Sequence, residues 1–491
     1  MKVMKFGGSS LADAGRIAAV AEIVRAEAAA GSVVVVLSAM KGITDTLLAA
    51  ADLAENADPE FRLLYERVMD THEKAIKTLF AAELPVSEDA SEDYSQAGQL
   101  IGKLTALHHE LGDILHGIEL VRECSPRSRD LIAGFGERMS CTLMSAYLCF
   151  LGEDAVMVDA RRVIVTEAEH GSATVLLEKS FERARALIHH EQELPIVTGF
   201  IAATEDGVTT TLGRNGSDYT ASLLGAGLHA DVIEIWTDVD GVLSADPRHV
   251  KDAFVIPTIT VEEAMELAYF GAEVLHPYTM LPAVERRVPI RIKNTLNPHA
   301  PGTLISHDGR GEDRGIDTIT GIASIGDVAL INVEGGGMVG VPGIASRVFS
   351  ALASASVNII MISQASSEHS ICVVCRRHDA QPAMRALERE LAHELESRRI
   401  GQLELIHNLE IVAVIGACMR GTPGIAGKIF SALGEAQVNI LAIAQGSSEM
   451  NISFVVEMAA RKQVLNVVHS AFFTHSTQEP VQGAPATEVK G

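Results

Sequence analysis

Several clusters in this chain have the residue types and spacing for chemistry on an anionic substrate. The first is Val3-Met4-Lys5-Phe6-Gly7-Gly8-Ser9-Ser10, where a short apolar run meets two glycines and two hydroxyls. A helical pattern follows, with Leu11, Ile17, Val20 and Val24 apolar. Amides freed by the glycines at a helix start are a natural seat for phosphate oxygens, and Lys5 adds a point charge there. A plain strand–helix turn is the competing reading of the same joint. The second cluster is Leu212-Gly213-Arg214-Asn215-Gly216-Ser217-Asp218. Ser217 or Asp218 could cap a helix, but capping does not call for Arg214, whose guanidinium fork suits a carboxylate. In the third, Ile235-Trp236-Thr237-Asp238-Val239-Asp240 and then Asp246-Pro247-Arg248, a buried strand delivers a hydroxyl and acids to its carboxyl end. Open parallel sheets hold their ligands there, although a capped turn has the same residues. Ser38 to Asp45 and Gly134 to Ser140 are two further helix starts, the second carrying Glu137.

The elements that must position these residues follow from hydrophobic periodicity. Apolar runs predict strands at Lys2–Phe6, Val33–Leu37, Ala155–Asp159, Leu194–Phe200, Val208–Leu212, Asp231–Thr237 and Pro289–Lys293, alternating with helices. That alternation, with unbroken runs such as Val33 to Leu37, predicts an α/β domain with a mainly parallel sheet covered on both faces. Residues 45–122 read as a helical insertion or lid, with an acidic stretch from Glu88 to Asp93 inside it. Asn297 to Asp317, rich in Pro, Gly and charge, reads as a linker. Beyond it Gly340-Val-Pro-Gly-Ile-Ala345, Val357-Asn358-Ile359 and Gln364 to Glu368 recur 81 residues later as Gly421-Thr-Pro-Gly-Ile-Ala426, Val438-Asn439-Ile440 and Gln445 to Glu449. Each copy reads strand, glycine turn, helix, strand, turn, strand, the opening of a βαββαβ unit, and the pair suggests a regulatory module. The polar tail from about residue 474 is expected to be disordered.

Composition narrows the function classes. A chain of 491 residues, 47% apolar and 21% charged, needs two to four domains. Its net charge of −24 argues against a nucleic-acid or anionic-membrane partner. No signal-peptide pattern opens the chain and no apolar run reaches membrane-spanning length, so a cytoplasmic location is expected. The cysteines, Cys124, Cys141, Cys149, Cys372, Cys375 and Cys418, are scattered like reduced thiols. Cys372 and Cys375 form a C-x-x-C, but the segment reads as a buried strand and zinc would need two more ligands nearby, so a redox or metal role is not expected.

The ordered motifs KFGGSS, LSAMKGITD, FGERMS, TGFIAAT, LGRNGSDYTAS, WTDVDGV with ADPR, and FGAEVLHP resemble those of aspartate kinases in the amino-acid kinase superfamily, and the repeat resembles tandem ACT domains. Asn215 within LGRNGSD, the helical insertion and IKNTLNPHAPGTLI look closest to the kinase half of bifunctional aspartokinase–homoserine dehydrogenases; no dehydrogenase half is read after residue 470. The resemblance implies an amino-acid kinase fold, three-layer α/β/α with a mainly parallel sheet, over 1–300. It also implies a linker at 301–320, ACT-type α+β units at 321–400 and 401–473, and a tail at 474–491. It implies phosphoryl transfer from ATP, with Mg²⁺, to the side-chain carboxylate of L-aspartate, the first step of lysine, threonine and methionine biosynthesis. Lys5 and Asp218 would then be catalytic; Ser38, Thr44, Glu137 and Arg214 would bind substrate. Lys5, Gly7, Gly8, Ser9, Thr237, Asp238, Leu243 and Arg248 would contact ATP. Asn358, Gln364, Asn439 and Gln445 would hold an amino-acid effector, threonine or lysine, in ACT units that pair chains into a homodimer or homotetramer. Glu273 departs from the pattern, standing where many aspartate kinases have lysine, and His276 reads as a packed histidine. Two other readings remain open at this point: a kinase for glutamate, acetylglutamate or a nucleotide, and a catalytically weak amino-acid sensor.

Overall fold

The structure, a computed structural model, describes residues 1–81, 96–191, 193–271, 277–307, 319–364 and 369–473. The acidic stretch at 88–93, the linker beyond residue 307 up to 318, Glu273, His276 and the tail lie outside the described residues. The chain divides into two compact units, the first comprising Met1–Val242, Pro257–Val261 and Val274–Gly309, the second Leu243–Ile256, Glu262–Glu273 and Arg310–Gly491.

The elements of the chain run β1 (Lys2–Phe6), α1 (Ala14–Ala30), β2 (Val33–Leu37), α2 (Ile43–Glu55), α3 (Phe61–Leu79), α4 (Gln96–Val121), α5 (Pro126–Ala133) and α6 (Phe135–Phe150). They continue as β3 (Ala155–Val158), α7 (Leu177–Leu187), β4 (Leu194–Thr198), β5 (Ile201–Ala203), β6 (Thr209–Thr211), α8 (Gly216–Gly227) and β7 (Val232–Thr237). Then come β8 (Thr258–Thr260), α9 (Val261–Tyr269), α10 (Pro277–Glu285), β9 (Ile290–Asn294) and β10 (Thr303–Ser306). Eight strands form one sheet in the order β3-β4-β2-β1-β7-β9-β10-β8, parallel throughout except between β9 and β10.

Side-chain alternation along β1 sets the layers. Met4 and Phe6 enter an apolar core shared with α1, α2, α4 and α6, whereas α8 packs on β1, β2 and β7. All twelve residues of α8 are buried, as a helix flush against a sheet requires. The helical stretch 45–122 is continuous with the sheet's own core: Leu47, Val68, Ile76, Leu104, Leu111 and Leu115 belong to the same cluster as Met4 and Leu37.

Two sequence expectations are corrected here. The Val208–Leu212 run is a strand only at Thr209–Thr211, and it pairs with β5 in a separate antiparallel ribbon. The linker does not begin at 301, because Thr303 and Ile305 are buried and their strand pairs with β8 and β9.

The second unit carries β11 (Gly321–Glu334), α11 (Ile344–Ser354), β12 (Ile359–Gln364), β13 (Ser370–Arg376), α12 (Ala380–Glu390) and α13 (Ala392–Glu396). The second copy repeats this with β14 (Gln402–Ile415), α14 (Ile425–Glu435), β15 (Ala442–Gln445), β16 (Asn451–Glu457) and α15 (Arg461–Phe472). Their six strands form a single antiparallel sheet, β12-β13-β11-β14-β16-β15. Each copy thus runs β-α-β-β-α, without a fourth strand of its own among the described residues. The 14-residue β11 and β14 pair along their length and fuse the copies. Each copy keeps its own apolar core under its helices.

Candidate functional site

At the carboxyl ends of β1 and β2 the first unit holds a pocket of about 470 Å³. It gathers Lys5, Gly7, Gly8, Ser9, Ser38, Thr44, Glu137, Arg214 and Asp218, nine residues singled out from sequence alone. Lys41, Asp45, Phe200 and Asn215 line it too and were not assigned a role.

Lys5 alternates with Met4 and Phe6, so its side chain leaves β1 on the face that α8 covers. There Lys5 Nζ lies 2.6 Å from Asp218 Oδ1, with both side chains about nine-tenths buried. Asp218 stands in the first turn of α8, where the helix dipole favours negative charge. Glycines allow this helix to approach: a Cβ on Gly199 would fall 2.5 Å from Ser217 Oγ, and one on Gly216 would fall 2.7 Å from the Phe200 ring.

The Gly-Gly joint works differently from the sequence expectation. Gly8–Leu11 form a 3-10 turn, and α1 begins only at Ala14, already capped by the Asp13 side chain through the Arg16 amide. The 3-10 turn thus separates Gly7 and Gly8 from the start of α1, whose N-terminus already has a side-chain cap. Two other helix N-termini open on the pocket, α2 behind Gly42 and α8 behind Asn215, neither capped by a side chain. Both cap residues are left-handed, at φ 79° and 55°. The alternative reading of Ser217 or Asp218 as the α8 cap does not hold, since both lie inside the helix. Phe200, on the pocket wall, is likewise left-handed at φ 66°, an unusual conformation for an aromatic residue, and its amide is held by Thr220 Oγ1.

Glu137 is the most perturbed group in the pocket. It is buried at the start of α6, and Gly136 permits this, since a Cβ there would fall 2.6 Å from the Ala39 Cβ. Its Oε1 accepts the Ala39 amide at 3.1 Å, while Oε2 has no hydrogen-bond partner. Burial pushes its carboxyl up to about 8, the Ala39 amide pulling it only partly back. A buried acid short of one partner is a receptor for a cation.

Thr237 ends β7 and Asp238 follows it, beside the Gly-Gly joint: the Gly7 amide donates to the Trp236 carbonyl and Thr237 Oγ1 to Asp238. They do not line the pocket described above. Asp240 is fixed by Asn294 Nδ2 at 2.8 Å and Asn297 Nδ2 at 3.1 Å. Leu243 and Arg248 fall in the second unit, where the exposed Arg248 guanidinium pairs with Asp246 at 2.8 Å. Among the described residues no three His, Cys, Asp or Glu side chains converge as a metal cage.

Residues 1–294 match the amino acid kinase family, and residues 331–391 and 412–472 match an ACT domain. The aspartokinase of Schizosaccharomyces pombe is 34% identical over 406 residues, which is 78% of this chain and 76% of that protein. The chain belongs to the amino acid kinase family, among the aspartokinases. The bifunctional aspartokinase/homoserine dehydrogenase 1 of Zea mays, a chloroplastic protein, is 37% identical over 484 residues, 97% of this chain and 50% of that protein. The chain spans about half the length of the bifunctional relatives it matches. Among solved structures, E. coli aspartokinase III has 30% identity and covers 96% of this chain. Its complex with aspartate and ADP (R-state) superposes at TM-score 0.73 over 100% of that chain. Its complex with lysine and aspartate (T-state) superposes at 0.76 over 99%. The aspartokinase resemblance read from the motifs, with an amino acid kinase fold and ACT domains, is therefore borne out.

The four expected effector residues fall on the ACT sheet's two edges. Asn358 and Gln364 flank β12, Asn439 and Gln445 flank β15, and all four are exposed. The edge strands are joined where Ser363 Oγ donates to the Ile443 carbonyl at 2.8 Å. The turns before α11 and α14 repeat the same backbone, with Gly340 and Gly421 at φ 67° and 68°, Gly343 and Gly424 at 97° and 93°. Cys372 and Cys375, three apart on β13, point to opposite faces and share no ligand; the buried Cys375 thiol is pushed up to about 11.

Proposed function

We propose that the chain transfers the γ-phosphate of ATP to the side-chain carboxylate of L-aspartate, giving 4-phospho-L-aspartate, the entry to lysine, threonine and methionine synthesis. One observation carries this: a buried Glu137 lacking a cation opens on the same pocket as Arg214 and the Lys5–Asp218 pair. A free amino acid brings an ammonium for Glu137 and an α-carboxylate for Arg214, which leaves its second carboxylate for transfer. That carboxylate is already ionised near pH 7 and needs no base. Its oxygen attacks the γ-phosphorus as the bond to the bridging oxygen breaks and ADP leaves. Lys5 neutralises charge on the transferring group, Asp218 holds Lys5 in place, and the α2 and α8 N-termini add partial positive charge. Ser38 and Thr44 complete the substrate wall; Gly7, Gly8 and Ser9 face the phosphates. Thr237, Asp238, Leu243 and Arg248 are the proposed nucleotide contacts. Mg²⁺ would be held by ATP oxygens and water rather than a protein cage, and would neutralise phosphate charge.

We further propose that the ACT edges bind threonine or lysine through the amides of Asn358, Gln364, Asn439 and Gln445; a complex of E. coli aspartokinase III with lysine supports an amino-acid effector. Pairing of those units between chains as a homodimer or homotetramer, and a cytoplasmic location, belong to the same reading. No helix among the described residues is long and apolar enough to cross a membrane.

ATP-dependent acyl phosphate, trapped with hydroxylamine, tests the reaction across aspartate, glutamate and acetylglutamate. Hydroxamate from aspartate is expected, and none from aspartate would sink the proposal. Lysine and threonine added to the same assay identify the effector; insensitivity to both removes the regulatory claim.

A further inference from the structure

We infer that Asp130, outside the pocket, is a positioning residue that fixes the spacing between the two groups proposed to hold the amino acid, Glu137 and Arg214. The inference rests on that reading of the pocket.

Asp130 lies on α5 with its side chain 4% exposed, and its carboxylate is held from two other segments. His170 Nδ1 lies 2.7 Å from Oδ2, the Gly171 amide donates to both oxygens at 3.1 Å, and Thr211 Oγ1 donates to Oδ1 at 2.6 Å. A buried carboxylate so supplied is a junction that tolerates little displacement, since releasing any donor leaves buried polar atoms unpaired.

The junction has two arms. On one, α5 ends at Gly134, whose amide returns to the Asp130 carbonyl. A Cβ at Gly134 would fall 2.9 Å from Ile201 Cγ2, so the α5–α6 elbow is tightly seated. Glu137 follows in the first turn of α6. On the other arm, Thr211 is the last residue of β6, three before Arg214. The Ala173 amide also bonds the Thr211 carbonyl, and Ser172 packs on Gly213, where a Cβ would fall 2.8 Å from its Oγ. The Leu212 amide donates to the Phe200 carbonyl at 2.9 Å one residue further on, so Asp130, together with that bond, sets where the turn of the exposed Arg214 begins relative to Glu137.

An aspartate and a glutamate present the same ammonium and α-carboxylate, and they differ by one methylene in the reach of the second carboxylate. Fixed spacing between Glu137 and Arg214 is therefore what makes that reach readable, and it makes Asp130 a determinant of substrate length as well as affinity.

Asp130→Asn keeps the size and removes the charge. The KM for aspartate is expected to rise about tenfold with the KM for ATP unchanged, and the preference for aspartate over glutamate to narrow. Thr211→Val removes one donor with little change of shape and should move the same parameters less, with Thr211→Ser restoring them. These two carry the test if Asp130→Asn does not fold. A merely structural role would lower thermal stability without separating the two KM values. If wild type phosphorylates aspartate while Thr211→Val and any folded Asp130→Asn keep its KM, the inference falls and the kinase reading stands. If wild type makes no acyl phosphate from aspartate, both fall.

Discussion

At the scale of single residues, the decisive groups differ in what the chain makes of their charge. Lys5 and Asp218 neutralise each other at 2.6 Å, so each owes its function to the other. Lys5→Ala or Asp218→Ala should lower kcat by about 10²-fold or more, the loss of a charge stabiliser; steady-state kinetics with a near-normal kcat would remove that residue from the mechanism. Glu137 has the opposite problem, an incomplete set of partners. An unfolded glutamate ionises near its ordinary value, whereas the buried carboxyl holds its proton up to about 8. Between those limits the folded state binds more protons than the unfolded, so ligand-free stability should fall as pH rises through that window. Substrate ammonium reverses the balance, and aspartate binding near neutral pH should expel up to one proton. Calorimetric titration in buffers of different ionisation enthalpy measures that proton, and Glu137→Gln should abolish both the release and the stability slope. No release from wild type would show that Glu137 does not receive the ammonium. The glycine, hydroxyl and charge clusters that meet in the pocket were legible because residues within each cluster are close in sequence. Asp130 was not, since its partners lie 40 and 81 residues away and a lone acid in a short helix gives no local signal.

Elements deliver these groups through close approaches that only small residues permit. Gly136 lets α6 sit against the loop after β2, and that contact brings the Ala39 amide to Glu137. Gly136→Ala puts a methyl 2.6 Å from the Ala39 Cβ. Overpacking of this kind costs about 1–3 kcal/mol, and here the relaxation must pull Glu137 away from the amide. Thermal unfolding should show the loss, and the KM for aspartate should rise more than the KM for ATP; equal shifts would place the strain elsewhere. The main strands were readable from unbroken apolar runs such as Val33–Leu37, because parallel strands buried on both faces leave no other pattern. Short strands such as Thr258–Thr260 and Thr303–Ser306 carry too few residues to show a period and are fixed by tertiary pairing. Which helix dipole serves the ligand was also hidden. The Asp13 cap was in plain view, yet only the fold shows that α2 and α8, rather than α1, turn uncapped ends to the pocket.

For the molecule as a whole, the order of the chain carries a proposed nucleotide-contacting stretch into the ACT core. Asp240 and Val242 are tied into the first unit, the latter through its amide to Thr303 Oγ1. The next stretch, holding Leu243 and Arg248, is built into the second unit instead. Ala245, Val250, Ala253 and Phe254 share an apolar core with Ile429, Val464, Val468 and Phe473. The Phe254 ring meets Phe473 edge-on at 5.2 Å, its amide donates to Ser244 Oγ, and that hydroxyl lies 3.0 Å from His469 Nε2. The conformation of a proposed nucleotide-contacting segment is thus set by packing within the second ACT copy. Phe254→Ala leaves a cavity in that core and should cost about 3–5 kcal/mol of the second unit's stability. Because Leu243 and Arg248 depend on the same packing, the KM for ATP should rise while the KM for aspartate, proposed to depend on Glu137 and Arg214 in the first unit, stays near wild type. The two KM values, measured beside a thermal unfolding curve, separate the possibilities. A second unit loosened by the cavity with an unchanged KM for ATP would mean that the segment's order does not reach the nucleotide. A selective rise would show that the core under α14 and α15 holds the segment in the form that its proposed nucleotide contacts need.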